Sequence, residues 1–261
     1  MEELRLLKEF NETIISIYNQ EKLYPLRGYK DSFELPNGKQ ILVWQNEITR
    51  HRNCHFAPNN FDYNSIVDDL LFISDEIVYF TAHLYLYKPH INTPMKDAYM
   101  TPNGTWIYPV FQNYTGKRYE MYINVCYEKL YNYWDRIGDL IASFFPSVFT
   151  GNIYFPKVMQ SLKTQYVGNT DFDWLLDFSE TEYKTFNEVR IKTVHKIAIN
   201  TEIKWQQLGH VTDEQKSREL TEKILAYPDY FKKMNQLCIE GFTRTLSFLE
   251  HVNKIEGYRC N

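Results

Sequence analysis

At 261 residues the chain is long enough for one large domain with a sizeable core. Its 44% hydrophobic and 24% charged residues are the proportions of a globular protein, and no uninterrupted apolar run approaches the ~18 residues that a membrane span needs. A formal net charge of −4 argues against a protein that coats polyanions through an overall surplus of Lys and Arg, while leaving room for a local basic cleft.

The first residues, Met1-Glu2-Glu3-Leu4-Arg5, open an amphipathic helix rather than an export signal. Leu4, Leu7, Phe10, Ile14 and Ile17 keep helical spacing over 2–21. The Pro36-Asn37-Gly38 turn, flanked by 32–35 and 40–44, predicts a short β-hairpin, because Asn-Gly fits a tight turn. Residues 62–88 return to helical spacing with Ile66, Leu70, Ile73, Ile77, Phe80, Leu84 and Tyr87. From 89 to 116, Pro94, Pro102, Gly104, Pro109 and Gly116 punctuate an aromatic-rich connection containing Thr105-Trp106-Ile107-Tyr108. It is too long for a bundle turn and too apolar for a disordered linker, so it reads as an ordered insertion packed on the helices.

Residues 117–146 carry Tyr119, Tyr122, Cys126, Leu130, Tyr133, Ile137, Leu140 and Phe144 until Pro146 stops the run. A helix over 179–199 and a closing one over 231–254, with Met234, Cys238, Phe242, Thr245, Leu249 and Val252 on one side, complete the pattern. Helices of this kind bury their apolar stripes against one another. The expected fold is therefore mainly α, a bundle of long antiparallel helices with a short β-hairpin and an aromatic loop insertion in its N-terminal half. The chain reads as a single domain over 1–261, in which 1–116 supply the N-terminal helices, hairpin and insertion and 117–256 the helical core. The 21 Tyr and 17 Phe are stacking platforms for bases or, in their ordinary use, filling for core and interfaces. Cys54, Cys126, Cys238 and Cys260 form no CxxC pair. Cys126 and Cys238 fall at apolar helical positions as buried thiols, and a reducing cytoplasm is the expected location.

The 179–199 helix carries the chemistry. Each residue turns an α-helix by about 100°, which lines up Tyr183, Phe186, Arg190, Val194 and Ile197 and puts Lys184, Glu188, Lys192 and Lys196 on an outer ridge. A guanidinium among apolar residues needs a carboxylate, a phosphate or a water-filled cleft. His195 lies about 140° round from Arg190, at the edge of the buried side. Two readings stand side by side. One is a buried salt bridge with a boundary histidine. The other is a site in which Arg190 holds a phosphate and His195 takes or gives a proton near neutral pH. Asn187, one turn before Arg190, would orient the phosphate or fix the guanidinium. Asp135 and Asp139, one turn apart on their own helix, are candidate partners for Arg190 or ordinary members of other ion pairs.

The same spacing recurs in Arg50-His51-Arg52-Asn53-Cys54-His55, which makes Arg50 and His55 an alternative pair. His51 and His55 would share a helical face beside Cys54, yet a metal site needs three or four convergent ligands and no remote pair is evident. No metal or cofactor is expected. The chain has no Gly-rich phosphate loop, nucleophile elbow or zincin motif.

The run Tyr131-Asn132-Tyr133-Trp134-Asp135-Arg136-Ile137-Gly138-Asp139-Leu140-Ile141 on one long helix, followed by Asn187-Glu188-Val189-Arg190-Ile191-Lys192-Thr193-Val194-His195 on a later one, resembles the HEPN superfamily, over about residues 117–256. The likeness is to the bacterial HEPN-like branch with an extended N-terminal region. HEPN domains are helical bundles whose signature is Arg, four to six residues, then His. The resemblance implies Arg190 and His195 as that pair, and a homodimer that brings two pairs to one cleft. For many members it implies metal-independent RNA cleavage through 2′-hydroxyl attack, in toxins or defence effectors. A nucleotidyltransferase-type antitoxin is then a candidate partner. Other members are non-catalytic modules that bind a nucleotide, RNA or protein. Active members commonly carry a polar residue after the Arg, where this chain has Ile191 in the first pair and His51 in the alternative one.

Overall fold

The computed structural model describes residues 2–26, 63–111, 113–145, 148–149 and 152–256. The hairpin expected over 32–44 and the segment carrying Arg50, His51 and His55 lie outside the described residues. The helices are α1 (Glu2–Glu21), α2 (Tyr63–Tyr87), α3 (Tyr114–Ala142), α4 (Phe155–Tyr166), α5 (Thr170–Glu180), α6 (Glu182–His195), α7 (Ile199–Gly209), α8 (Glu214–Leu225) and α9 (Tyr227–Glu256). Among the described residues the strands are β1 (Tyr99–Met100) and β2 (Trp106–Ile107), paired antiparallel with Tyr99 opposite Ile107. The chain is mainly α, as its periodicity predicts. No helix among the described residues is long and apolar enough to cross a membrane.

The five helices read from spacing are α1, α2, α3, α6 and α9, displaced by a few residues at their ends. Helices α4, α5, α7 and α8 stand where spacing alone predicts none. Each has only 11 or 12 residues, and three of them start from local signals. Asn169 Oδ1 accepts from the N–H groups of Asp171 and Phe172 to cap α5, and Asp213 caps α8 through Lys216 N–H. Pro156 sits in the first turn of α4, where its missing N–H costs nothing.

The described residues divide into two compact units, Met1–Leu23 with Ile77–Glu128 and Glu188–Lys233, and Tyr24–Glu76 with Lys129–Asn187 and Met234–Asn261. In the second unit α2 and α3 run antiparallel, since Glu76 pairs with Lys129 at 2.6 Å and Asp69 with Arg136 at 3.3 Å. Trp134 is the centre of that unit, with ring centroids 4.0 Å from Phe178 and 5.0 Å from Phe155. The Tyr133 hydroxyl donates to the Cys238 carbonyl at 2.8 Å, joining α3 to α9. Gly138 admits the start of α4, where an added Cβ would lie 2.9 Å from the Phe155 backbone.

In the first unit His83 is buried among the rings of Phe10, Tyr79 and Tyr122, with Nδ1 2.7 Å from the Tyr79 carbonyl. Burial holds its pKa below the ordinary histidine value. The described residues of the 89–116 insertion pack on this unit, as expected. Its β1–β2 turn is tied by Thr101 and Thr105, and the Tyr108 N–H donates to the Val211 carbonyl at 2.7 Å. Cys126 and Cys238 are buried free thiols.

Candidate functional site on helix α6

Helix α6 changes character along its length. In its first half Tyr183 and Phe186 are buried, their rings 4.9 Å apart, and Tyr183 packs 5.5 Å from Phe155. In its second half Val189, Arg190 and Thr193 are half-buried, whereas Ile191 and Val194 are 42% and 46% exposed and His195 is exposed. The buried arc is thus centred on Phe186 and Thr193, with Arg190 on its flank and Val194 outside it. This corrects two expectations. Val194 does not continue the buried stripe, and His195 is on the outer side rather than at the edge of the core. The reason is geometric: residue spacing sets the direction a side chain takes but not how far along the helix the packing partner extends. The ridge of Lys184, Glu188, Lys192 and Lys196 is exposed as predicted.

His195 is the last residue of α6, and the Lys196 and Ile197 N–H groups both return to the Lys192 carbonyl at 2.9 Å. Because the helix is regular to that point, Arg190 and His195 are separated by about 140° and a rise of about 7.5 Å. Within one chain this spacing does not bring the pair together. Asn187 is half-buried, and its Oδ1 is buried without a hydrogen-bond partner among the described residues.

Asp139 is held by Arg136, one turn earlier on α3, which also reaches Asp69. Burial raises the pKa of both Asp135 and Asp139. The rise at Asp135 is opposed by hydrogen bonds from the Tyr131 side chain and the Phe155 backbone, while Arg136 opposes that at Asp139. No group of three or more His, Cys, Asp or Glu side chains able to hold a metal ion occurs among the described residues.

The flank of α6 beside the lysine ridge adds a feature that the motif does not announce. Val189, Lys192, Thr193 and Ile197 face a cavity of about 370 Å³ whose other walls include Tyr127, Tyr227, Tyr230 and Lys223. Tyr127 lies 5.9 Å from Tyr230 and 6.4 Å from Tyr227, ring centre to ring centre. Burial, the nearby Glu202 carboxylate and Tyr230 push the Tyr227 hydroxyl up to about 12. A readable signal was the run Tyr227-Pro228-Asp229-Tyr230-Phe231, which puts aromatic rings on the first turns of α9.

Comparison with protein families matches the Cthe2314-like HEPN family over residues 75–250, about two-thirds of the chain. The chain belongs to the HEPN family. The match takes in α3, α6 and most of α9, and so includes both runs that carry the resemblance in the sequence. No curated protein matches the chain, and no solved structure matches it. The HEPN bundle here carries α1 and the start of α2 ahead of the matched region.

Proposed function

We propose that this HEPN protein is an endoribonuclease that works as a homodimer, with His195 as general acid–base and Arg190 on the scissile phosphate. The observation that carries the reading is the outer face of α6, where Ile191, Val194 and His195 stand exposed in the single chain while Arg190 is half-buried. An apolar surface around an accessible histidine suits a second copy of the same helix. Two copies supply the two proton-transfer groups that the chemistry needs. One His195 takes the proton of the 2′-hydroxyl as that oxygen attacks phosphorus and closes a 2′,3′-cyclic phosphate. The partner's His195 gives a proton to the departing 5′-oxygen, and Arg190 offsets the charge growing on the phosphoryl oxygens. The open atom of Asn187 is an acceptor, which suits a guanidinium better than a phosphate oxygen, so its role is to orient Arg190. The tyrosine-lined cavity beside α6, with Lys223 in its wall, offers rings and a positive charge to a neighbouring nucleotide. The reading carries with it a cytoplasmic setting and a toxin or defence role, in which a nucleotidyltransferase-type antitoxin is the restraining partner.

A second reading, a non-catalytic HEPN module that binds a nucleotide, RNA or protein, is favoured by one observation. Helix α6 stays regular through His195, which turns the pair apart, and Ile191 puts an apolar side chain between them. One experiment separates the two. Purified protein is incubated with mixed-sequence RNA in EDTA beside His195→Ala and Arg190→Ala. Cleavage leaving cyclic phosphate ends, lost in both variants, supports the nuclease. RNA retained in a gel-shift assay but left intact by folded, dimeric wild type supports the binding module.

A further inference from the structure

Residues 91–94 and 110–111, the start of α3, and helices α7 and α8 enclose a cavity of about 220 Å³ away from the α6 site. That is below the ~300–1,000 Å³ of pockets for drug-sized ligands, and so suits a small metabolite. Its walls are fixed in advance. Asn113 Nδ2 donates to the His90 carbonyl at 2.7 Å and to Asn92 Oδ1 at 3.2 Å, and Lys96 Nζ donates to the Ile91 carbonyl at 3.1 Å. Preorganisation of this kind removes an ordering cost from binding.

Two independent features point to an occupant. Gln207 is only 6% exposed and lines the cavity, yet its side-chain amide has no hydrogen-bond partner among the described residues. An amide without a protein partner in the wall of a cavity is free to hydrogen-bond to a ligand group there. Lys117 and Lys204 also line the cavity, and neither ammonium has a carboxylate within ion-pair distance among the described residues. Glu120 is the one acidic side chain among the lining residues, so positive charge prevails. The wall also has an apolar part, Ile91, Ile224 and the 64%-exposed ring of Phe111, beside polar groups such as Asn92 and Thr221.

We propose that this cavity binds a small aromatic anion, a ring bearing a carboxylate or phosphate. The ring packs against Phe111, Ile91 and Ile224, the anionic group faces Lys117 and Lys204, and Gln207 hydrogen-bonds to a polar atom of the ligand. The site uses no residue of the α6 pair, so it stands or falls apart from the ribonuclease reading.

The test is calorimetric titration of the full chain with benzoate, phenyl phosphate, benzyl alcohol and inorganic phosphate. Saturable binding of benzoate or phenyl phosphate is expected, and the stronger of the two identifies the natural anionic group. Benzyl alcohol, which lacks the charge, and inorganic phosphate, which lacks the ring, should bind at least about tenfold more weakly. The Lys117→Gln/Lys204→Gln variant, altered only at exposed positions, should keep its unliganded Tm and lose about tenfold or more in affinity. Gln207→Met should weaken binding without removing the charge preference. The proposal is overturned if neither aromatic anion binds wild type, if the double lysine variant binds them equally well, or if inorganic phosphate matches phenyl phosphate.

Discussion

Lys192 Nζ lies 2.7 Å from Glu202 Oε1, tying the outer ridge of α6 to the first turn of α7. The pair is part of the wall of the tyrosine-lined cavity, and it neutralises one of the three ridge lysines that would meet an RNA backbone. With side chains 47% and 33% exposed it contributes at most about 1 kcal/mol to stability. Its larger effect is on what the ridge attracts. Glu202→Gln should leave Tm nearly unchanged and tighten RNA binding about two- to threefold at low ionic strength, with the gain vanishing at high salt. Fluorescence anisotropy at two salt concentrations measures this, and equal low-salt affinities would show that RNA does not approach this ridge.

Gly241 faces the Trp134 ring so closely that a Cβ would overlap the indole, itself stacked on Phe178 and tilted against Phe155. Alanine would gain up to about 1 kcal/mol of helix propensity. Overpacking a fixed ring costs about 1–3 kcal/mol, and the ring has no free side to move toward. Gly241→Ala should therefore be net destabilising, read as a lower urea midpoint with an unchanged slope.

Much of the fold was legible because α1, α2, α3 and α9 are long enough for an apolar stripe to repeat several times. The shorter α5 and α8 are announced instead by single side chains, Asn169 and Asp213, whose capping role is a hydrogen bond rather than a period. The candidate site was legible as residues but not as a surface. Spacing put Arg190, Val194 and His195 on definite bearings round α6. Which bearings are covered depends on where neighbouring helices end, and that is a property of tertiary packing. The tyrosine-lined cavity was hidden for the same reason, since its walls come from α3, α6, α7, α8 and α9.

Ile191 is 42% exposed, so replacing it costs little packing. Ile191→Asn should change stability by no more than about 0.5 kcal/mol. On the ribonuclease reading it restores the polar group that active HEPN proteins commonly carry after the Arg, and the initial rate of RNA cleavage in EDTA should rise. A rate unchanged in a dimeric Ile191→Asn protein would remove Ile191 as the limit on activity.

Alkaline pH should unfold the protein steeply. Burial pushes the Tyr227 hydroxyl from 10.0 up to about 12, and it raises Tyr85, Tyr119, Tyr127 and Tyr133 as well. A folded-state pKa above the unfolded one means that the native state holds its proton more tightly. The stabilisation is complete below pH ~10 and is lost as pH rises toward the folded value, about 2–3 kcal/mol from Tyr227 alone. Tyrosinate absorbance and helical circular dichroism, followed together, should change in one concerted step above pH ~10. Gradual ionisation with the helices intact would show these hydroxyls to be open to solvent.

Asn113 closes the first turn of α3 by accepting from the Gly116 N–H at 2.7 Å, and its Nδ2 donates to His90 and Asn92. Followed by Tyr114 and Thr115, it is also a glycosylation sequon. The nitrogen to which a glycan would attach is the one that holds the wall of the anion cavity in place. Sugar added there before folding would leave the Oδ1 cap on Gly116 but take one of the two N–H donors that tie His90 and Asn92, and so loosen the cavity wall.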